Sequence, residues 1–321
     1  MTDESDAKPA AQVELDAQVK PAAKHKKSNA LLNVMIAISA IAMIGALGLI
    51  AYPTFSDWWN RMHQSYAVAG YVEQTKDMSG AERKAMLKAA HEYNERLAAN
   101  GDRWHMTDAQ KREYDETLDV TGTGIMGYVT IPRIKVKLPV YHGTSDGVLQ
   151  IAAGHLAGTS LPVGGATTHA VVSGHTGLPS ARLLTGLDEL KKGDTFAFHV
   201  LDQTYTYKVD QISVVLPSEI SKLNIESGAD YATLITCTPY GVNSHRLLVR
   251  GHRIPNPKVP DKTQYDEPGE MTAVAAAVIG LIVFVAGCAF VGLARLWRRS
   301  WIVRHGLCAG AGARHSSGVR G

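Results

Sequence analysis

Charged residues are absent from two long stretches of this chain, 28–56 and 271–294. Each stretch exceeds the roughly 20 residues that an α-helix needs to cross the hydrocarbon core of a membrane. Buried helices of soluble proteins rarely reach this length without any charge. We therefore predict membrane helices over 30–53 and 271–296. The first could instead be a cleaved signal peptide, but its apolar run is longer than a usual signal core, which favours a retained anchor.

Positive charges flank both stretches and predict the orientation. Lysines precede the first stretch and arginines follow the second: Lys24, Lys26, Lys27, Arg295, Arg298, Arg299 and Arg304. Because positive residues at the ends of membrane helices stay in the cytoplasm, both termini are expected inside and residues 54–270 outside. The expected location is the cell membrane, with two helices and an extracellular domain between them.

Cysteine is scarce, with three in 321 residues: Cys237, Cys288 and Cys308. Only Cys237 lies between the two uncharged stretches, so the outside domain can form no disulfide of its own. A lone cysteine in an exported domain is either a small buried side chain or a candidate nucleophile. The motif around Cys237 favours the nucleophile.

Several motifs that would indicate a cofactor or a nucleic acid are also missing. No group of His, Cys and carboxylates has the spacing of zinc ligands, and neither a GxGxxG motif nor a P-loop is present. The net charge of +3 comes largely from the membrane flanks, and no basic patch is interleaved with aromatic residues. The sequence therefore predicts no metal, no cofactor and no nucleic-acid partner.

The remaining sequence divides by pattern into five segments. A capping box at Ser79 and Glu82 begins a helix, and an apolar stripe at helical spacing (Met86, Ala90, Tyr93, Leu97) predicts packing on the next domain. Seven short β-prone runs then predict a mainly β, closed or nearly closed barrel. The expected boundaries are a disordered tail 1–29, a helical segment 54–120, a barrel 121–254, a proline-rich tether 255–270 and a basic tail 297–321.

The outside domain carries residues suited to nucleophilic chemistry. Cys237 ends one apolar β-prone run, and Arg246 follows nine residues later in another. A nearby cation favours the thiolate, which is the reactive form of cysteine. His175 follows an apolar strand and opens a loop, which suits a proton-transfer group, and His155 is its nearest competitor. His245 adjoins Arg246 but should face the other side of the strand.

These motifs together resemble those of a sortase, and within that family they are similar to class C, the pilus-assembling enzymes of Gram-positive bacteria. The resemblance rests on Gly174-His175-Thr176-Gly177-Leu178-Pro179, on the segment 187–194, on Thr233-Leu-Ile-Thr-Cys237 and on the segment 238–251. It covers roughly residues 60–300. It implies an eight-stranded sortase barrel, with the N-terminal helical segment and the two membrane helices around it.

The resemblance also implies the reaction and the roles in it. Cys237 would be the nucleophile, His175 the general acid and base, and Arg246 the group that stabilises the oxyanion. Thr236 and Ser244, beside them in the motif, are expected to bind substrate. The substrate would be an LPxTG-like sorting signal of a pilin or surface-protein precursor, cleaved between Thr and Gly. The amine of a pilin lysine would then accept the acyl group.

A class C enzyme further carries a lid with an Asp-Pro-aromatic motif, which Asp102-Arg103-Trp104 matches except for the proline. If it is a lid, Asp102 should lie beside Arg246 and Trp104 over Cys237. Arg103 could instead pair with Asp102, and Trp104 could simply pack under a surface loop.

Two other functions stay open at this point. A housekeeping sortase would transfer surface proteins to a cell-wall precursor amine. A non-enzymatic, membrane-tethered β-domain would only display a binding surface.

Overall fold

The computed structural model describes residues 30–258, 265, 276–277, 279–292 and 294–295. The whole barrel belongs to one compact unit of the chain, Ile44–Val291. The predicted tails over 1–29 and 297–321 lie outside the described residues. Of the predicted tether, only 255–258 and Tyr265 are described.

The first helix, α1 (Ala30–Asp77), continues without a break through Pro53. Its segment Val34–Asp77 contains an 18-residue window with a mean hydropathy of 2.5, none of which is buried. Proline lacks a backbone N–H and usually interrupts a helix, yet the helix continues for more than six turns beyond it. The length and composition of α1 therefore agree with the first predicted membrane helix.

The second predicted membrane helix is not borne out by the described residues. Within them, Val34–Asp77 alone is long and apolar enough to cross a membrane, whereas Ile279–Gly292 belongs to a shorter class of 10–17 residues. A straight span needs roughly 20 residues at 1.5 Å each. The described residues thus contain one helix of sufficient length, not two. Residues 276–277 and 294–295 are also helical, but 271–275, 278, 293 and 296 lie outside the described residues, so the second membrane helix stays a prediction.

The second helix, α2 (Gly80–Ala99), begins where the sequence predicts. The Ser79 hydroxyl accepts from the Glu82 amide, and the Glu82 carboxylate accepts from the Ser79 amide. Asn100 caps the other end. Ala90, Tyr93 and Leu97 are buried in the same apolar cluster as the barrel interior, which confirms the predicted packing. A third helix, α3 (Asp108–Glu116), follows and contributes the buried Tyr114.

Eight strands follow, and they close into one barrel. They are β1 (Ile125–Ile131), β2 (Val136–His142), β3 (Ala153–His155), β4 (Thr168–Ser173), β5 (Thr195–Val200), β6 (Gln203–Val215), β7 (Asp230–Thr238) and β8 (His245–Ile254). A short helix, α4 (Asp146–Ile151), lies between β2 and β3. The order around the barrel is β1-β2-β3-β4-β7-β8-β6-β5. The prediction of an eight-stranded barrel after an N-terminal helical segment is confirmed.

Alternating side chains of these strands fill the barrel. Val129, Phe198, Tyr207, Leu234 and Val249 are each almost fully buried in the interior cluster. Burial of one such side chain contributes roughly 1.5–3 kcal/mol relative to exposure, so the ladder positions are strongly fixed. Strand β7 is parallel to β4 and antiparallel to β8, which brings the ends of three motif-bearing segments together.

Candidate active site

Cys237 and Arg246 are directly opposite each other on neighbouring strands. The register of β7 and β8 pairs Cys237 with Arg246 and Thr238 with His245. Residues directly opposite in an antiparallel pair project from the same face, with Cβ atoms roughly 4.5–5.5 Å apart. Both side chains line one cleft of about 400 Å³. The strand register therefore brings the two side chains to the same face, where both border the same cleft.

His175 enters the same cleft from strand β4. The parallel register pairs Ser173 with Ile235, and the amide of Gly174 donates to the Ile235 carbonyl at 3.0 Å. The Thr236 hydroxyl then donates to the Gly174 carbonyl at 2.8 Å. Hydrogen bonds thus hold the chain to β7 up to Gly174, the residue before His175. The His175 imidazole therefore lies beside the end of β7, and it lines the cleft together with Cys237.

Glycines allow the loop around His175 to pack closely. A Cβ at Gly174 would lie 2.8 Å from Cγ of Leu184, and one at Gly177 would lie 2.7 Å from the Tyr240 ring. Gly177 also has a φ of 72°, which side chains disfavour. The His175 carbonyl accepts from the Leu184 amide at 3.1 Å. These contacts hold the loop against its neighbours while the imidazole faces the cleft.

The other candidate histidine, His155, is part of the structural core. His155 is fully buried and contacts the Tyr114 hydroxyl and the Ser160 carbonyl, and burial lowers its pKa to about 3. His169 is equally buried, bonds Asn224 and Thr233, and has a pKa lowered by burial to about 4. Both are held neutral inside the fold, so of His155 and His175 only His175 is placed for proton transfer at Cys237.

Arg246 has donors free for a ligand. Its Nη1 donates to the backbone carbonyls of Asn243 and His245 at 3.2 and 3.1 Å. Within the described part of the chain, its Nη2 and Nε make no hydrogen bond, and no carboxylate lies within ion-pair distance. Backbone carbonyls therefore orient the guanidinium without neutralising it, which leaves its positive charge in the cleft that Cys237 also lines.

The two expected substrate-binding residues occupy different environments. Thr236 lines the cleft but is buried, and its hydroxyl is already used to hold Gly174. Ser244 is exposed, hydrogen-bonds Nδ1 of His245 at 2.9 Å, and is not among the residues that line the cleft. The structure therefore gives Thr236 a role in positioning His175 and does not bring Ser244 to the site.

The three residues of the expected lid motif, 102–104, lie in different environments. Trp104 lines the cleft together with Cys237. Asp102 does not meet Arg246, because its carboxylate accepts from Nδ1 of His105 at 2.8 Å on the exposed surface. Arg103 does not pair with Asp102 either, since its guanidinium is buried and donates to carbonyl oxygens.

Apolar side chains complete the cleft, and sequence reasoning did not identify them. They come from α4, from the loop after β3, and from the connection between β6 and β7: Leu149, Leu156, Leu216, Ile220 and Leu223. Leu216 and Ile220 are large apolar residues that stay 56% and 43% exposed in a loop. Exposed apolar residues in a loop are a signal of binding, but spacing alone does not show that they reach Cys237.

Comparison with known proteins places this geometry in a family. The Sortase domain matches residues 129–254, which include β2 to β8, Cys237, His175 and Arg246. The chain spans 47% of the length of a curated Streptococcus agalactiae sortase A, at 30% identity over 117 residues.

Solved structures of sortases C match over a longer part of the chain. Sortase C1 of Streptococcus agalactiae is 50% identical with a TM-score of 0.59, and the match covers 60% of this chain and all of that one. A Clostridium perfringens sortase C with the C-terminal cell wall sorting motif is 41% identical with a TM-score of 0.53, covering 60% and 100%. A Streptococcus pneumoniae sortase C, whose structure addresses pilin substrate specificity, is 46% identical with a TM-score of 0.54, covering 60% and 97%.

The barrel order, the Cys237–Arg246 pairing and these matches agree with one another. The chain belongs to the sortase family of cysteine transpeptidases, and the sortases that it resembles in structure are of class C.

Proposed function

We propose that this protein is a membrane-anchored transpeptidase that cleaves an LPxTG-like sorting signal between Thr and Gly and joins the new acyl end to a lysine amine of a pilin. The observation that carries the proposal is the β7–β8 register, which sets Cys237 opposite Arg246 in a cleft that His175 also lines. The solved Clostridium perfringens sortase C with a sorting motif supports the substrate class.

In the first half-reaction the Cys237 thiolate attacks the carbonyl carbon of the substrate Thr. Negative charge develops on the carbonyl oxygen, and the free donors of Arg246 stabilise it where it forms. The Thr–Gly C–N bond breaks as His175 gives a proton to the leaving amine. The product is a thioester between Cys237 and the Thr acyl group.

In the second half-reaction a primary amine attacks the thioester carbonyl. His175, now neutral, accepts a proton from the attacking amine, and the C–S bond breaks to restore the Cys237 thiolate. The new C–N bond is an isopeptide bond when the amine belongs to a lysine. Apolar walls around the thioester disfavour water, which supports transfer over hydrolysis.

The acceptor distinguishes the pilus proposal from its main alternative. A wall-anchoring sortase would resolve the same thioester with an amine of a cell-wall precursor. The likeness to the Streptococcus pneumoniae sortase C, described for pilin substrate specificity, favours a pilin lysine. We would offer the full-length enzyme both acceptors in equal amount with one sorting peptide. Selective isopeptide formation on the pilin is expected, and exclusive transfer to the wall precursor would replace the pilus proposal.

A non-enzymatic display domain is the second alternative. A domain that only displays a binding surface would not need Cys237 and the free donors of Arg246 in one cleft. Rapid labelling of Cys237 by a thiol reagent, slowed in His175→Ala, is expected of the enzyme. Slow labelling that is unchanged in His175→Ala would favour the display domain.

The proposed location is the cell membrane, with the barrel outside and both ends of the chain inside. The support is the length of the apolar part of α1 and the lysines and arginines that flank the uncharged stretches. In intact protoplasts, tags at both termini should resist protease while the barrel is cleaved or labelled. A C-terminal tag that is accessible from outside would mean that the second predicted membrane helix is absent or inverted.

A further inference from the structure

Arg103 is a buried cation with no acidic partner among the described residues. Only 9% of the residue is exposed. Its Nη1 donates to the Gly158 carbonyl at 3.1 Å, and its Nη2 donates to the Leu223 carbonyl at 3.0 Å and to Oδ1 of Asn224 at 3.3 Å. Burial lowers its pKa from the ordinary value. Removing a cation from water is costly, and these three acceptors offset part of that cost.

The guanidinium also supports the aromatic wall of the cleft. It lies 4.5 Å from the centroid of the Trp104 ring. Trp104 packs on a small apolar cluster that includes Leu223 and Ile235, and all three residues line the cleft. The planar guanidinium of Arg103 therefore contacts two residues that line the cleft. It stacks on the Trp104 ring as a cation, and it donates a hydrogen bond to the Leu223 carbonyl.

Gly158 allows this close approach. A Cβ at Gly158 would lie 2.6 Å from the Arg103 carbonyl oxygen and 3.0 Å from Cε3 of Trp104, and its φ is 86°. The segment of Arg103 and Trp104 is thus packed directly on the loop after β3. Asn224 is held from a second direction as well, because its carbonyl bonds Nδ1 of the buried His169 at 2.8 Å.

We propose that Arg103 is a positioning residue that fixes Trp104 and Leu223 as a permanent apolar wall of the substrate cleft. Access to Cys237 then does not depend on Asp102, which is engaged with His105 at the surface. The nature of the peptide that the wall receives rests on the proposed function. The shape of the wall does not, so thiol labelling tests it independently of any substrate.

The test uses the full-length protein with Cys288 and Cys308 replaced by alanine, so that Cys237 is the sole thiol. Labelling rates are measured with a small reagent, iodoacetamide, and with a bulky fluorescent maleimide. The kcat and KM for an LPxTG peptide are measured in parallel. The variants are Arg103→Met, which keeps the volume but removes the donors, Arg103→Lys, Asp102→Ala, and the exposed Arg112→Met as the matched control.

Arg103→Met should change the ratio of bulky to small labelling by about fivefold or more, and raise KM more than it lowers kcat. Arg103→Lys should recover only part of the change, because an ammonium cannot donate in a planar fork. Asp102→Ala and Arg112→Met should each stay within about twofold of the parent in every quantity.

Two results would overturn the proposal. One is an Arg103→Met ratio equal to that of Arg112→Met. The other is a labelling rate that rises about fivefold or more in Asp102→Ala, which would show a gate held by Asp102. If Arg103→Met does not fold, Arg103→Lys and Asp102→Ala decide by the same criteria. Failure of the parent enzyme to turn over the peptide would count against the proposed function, while the labelling ratios would still report on the wall.

Discussion

Cys237 and Arg246 lie on the adjacent strands β7 and β8, whereas Trp104 and Leu223, which line the same cleft, lie on connections between regular elements. Backbone ladder bonds hold the first pair, and their register leaves little freedom. The second pair depends on side-chain contacts, above all those of Arg103. Strand pairing therefore specifies the reacting groups, while a few buried polar contacts, which a single substitution can remove, specify the walls of the cleft.

The largest expected effect is loss of the nucleophile from the strand region. Cys237→Ala should abolish acyl-enzyme formation with an LPxTG peptide, because no other thiol lies in the barrel. Stability should change by less than about 1 kcal/mol, since the side chain is only half buried. Activity is measured by peptide cleavage and stability by denaturant unfolding, with Cys288→Ala as the control. Cleavage by the variant above the uncatalysed rate would show that Cys237 is not the nucleophile.

The next effect concerns the cation opposite the thiol. Arg246→Ala should lower kcat by roughly 10²–10³, the usual loss when an oxyanion donor is removed. Arg246→Lys should restore little, because a point charge lacks the guanidinium's fork of donors. The matched control is Arg253→Lys on the same strand, outside the cleft. Near-normal turnover in Arg246→Lys would mean that charge alone suffices at this position.

Acid should destabilise the strand region through its two buried histidines. Burial lowers the pKa of His155 to about 3 and of His169 to about 4. The unfolded chain therefore binds more protons below its own histidine pKa of about 6.5, and stability is lost as pH falls. Between about pH 6.5 and pH 4 each histidine should remove about 1.4 kcal/mol per pH unit.

Denaturant unfolding at about pH 7 and about pH 5 measures this loss. His105→Gln is the control, because that side chain is 85% exposed at the surface. An unfolding free energy that stays flat over this range would mean that the two histidines are not held neutral. It would also weaken the view that strand packing alone excludes them from catalysis.

A smaller effect is expected to distinguish Thr236 from Ser244, which the sequence analysis predicts to have the same role, substrate binding. Thr236→Val removes the hydroxyl that holds Gly174 and should cost about 1 kcal/mol of stability. It should also lower kcat by about tenfold, because the chain before His175 loses its tie to β7. Ser244→Ala, away from the cleft, should change neither quantity, and a rise in KM for Ser244→Ala alone would restore it as a substrate contact.

The sequence predicts the barrel well because strand patterns are local. All seven predicted runs lie within strands, and the predicted helix after Ser79 is present with its capping box. The strand Ala153–His155 was missed because three residues carry no pattern. Its inclusion explains why His155 is a core residue, since strand pairing on both sides buries it.

The sequence predicted the residues of the site that adjoin strands, but not those in the segments that connect helices and strands. Cys237, His175 and Arg246 adjoin β-prone runs, and the structure brings all three to one cleft. Asp102 was expected at Arg246 by resemblance, yet it bonds His105. The acceptors of Arg103 lie about 55 and 120 residues away in the chain, so no local pattern reveals them.

The proposed transpeptidation is tested most directly by the intact mass of the full-length enzyme after incubation with an LPxTG peptide, followed by addition of a lysine-bearing pilin. We expect an adduct equal to the peptide up to its Thr, located on Cys237 and absent in Cys237→Ala. The adduct should disappear when the pilin is added, with an isopeptide bond formed on a pilin lysine. A stable adduct elsewhere, or release of the acyl group only as free acid in the presence of the pilin, would contradict it.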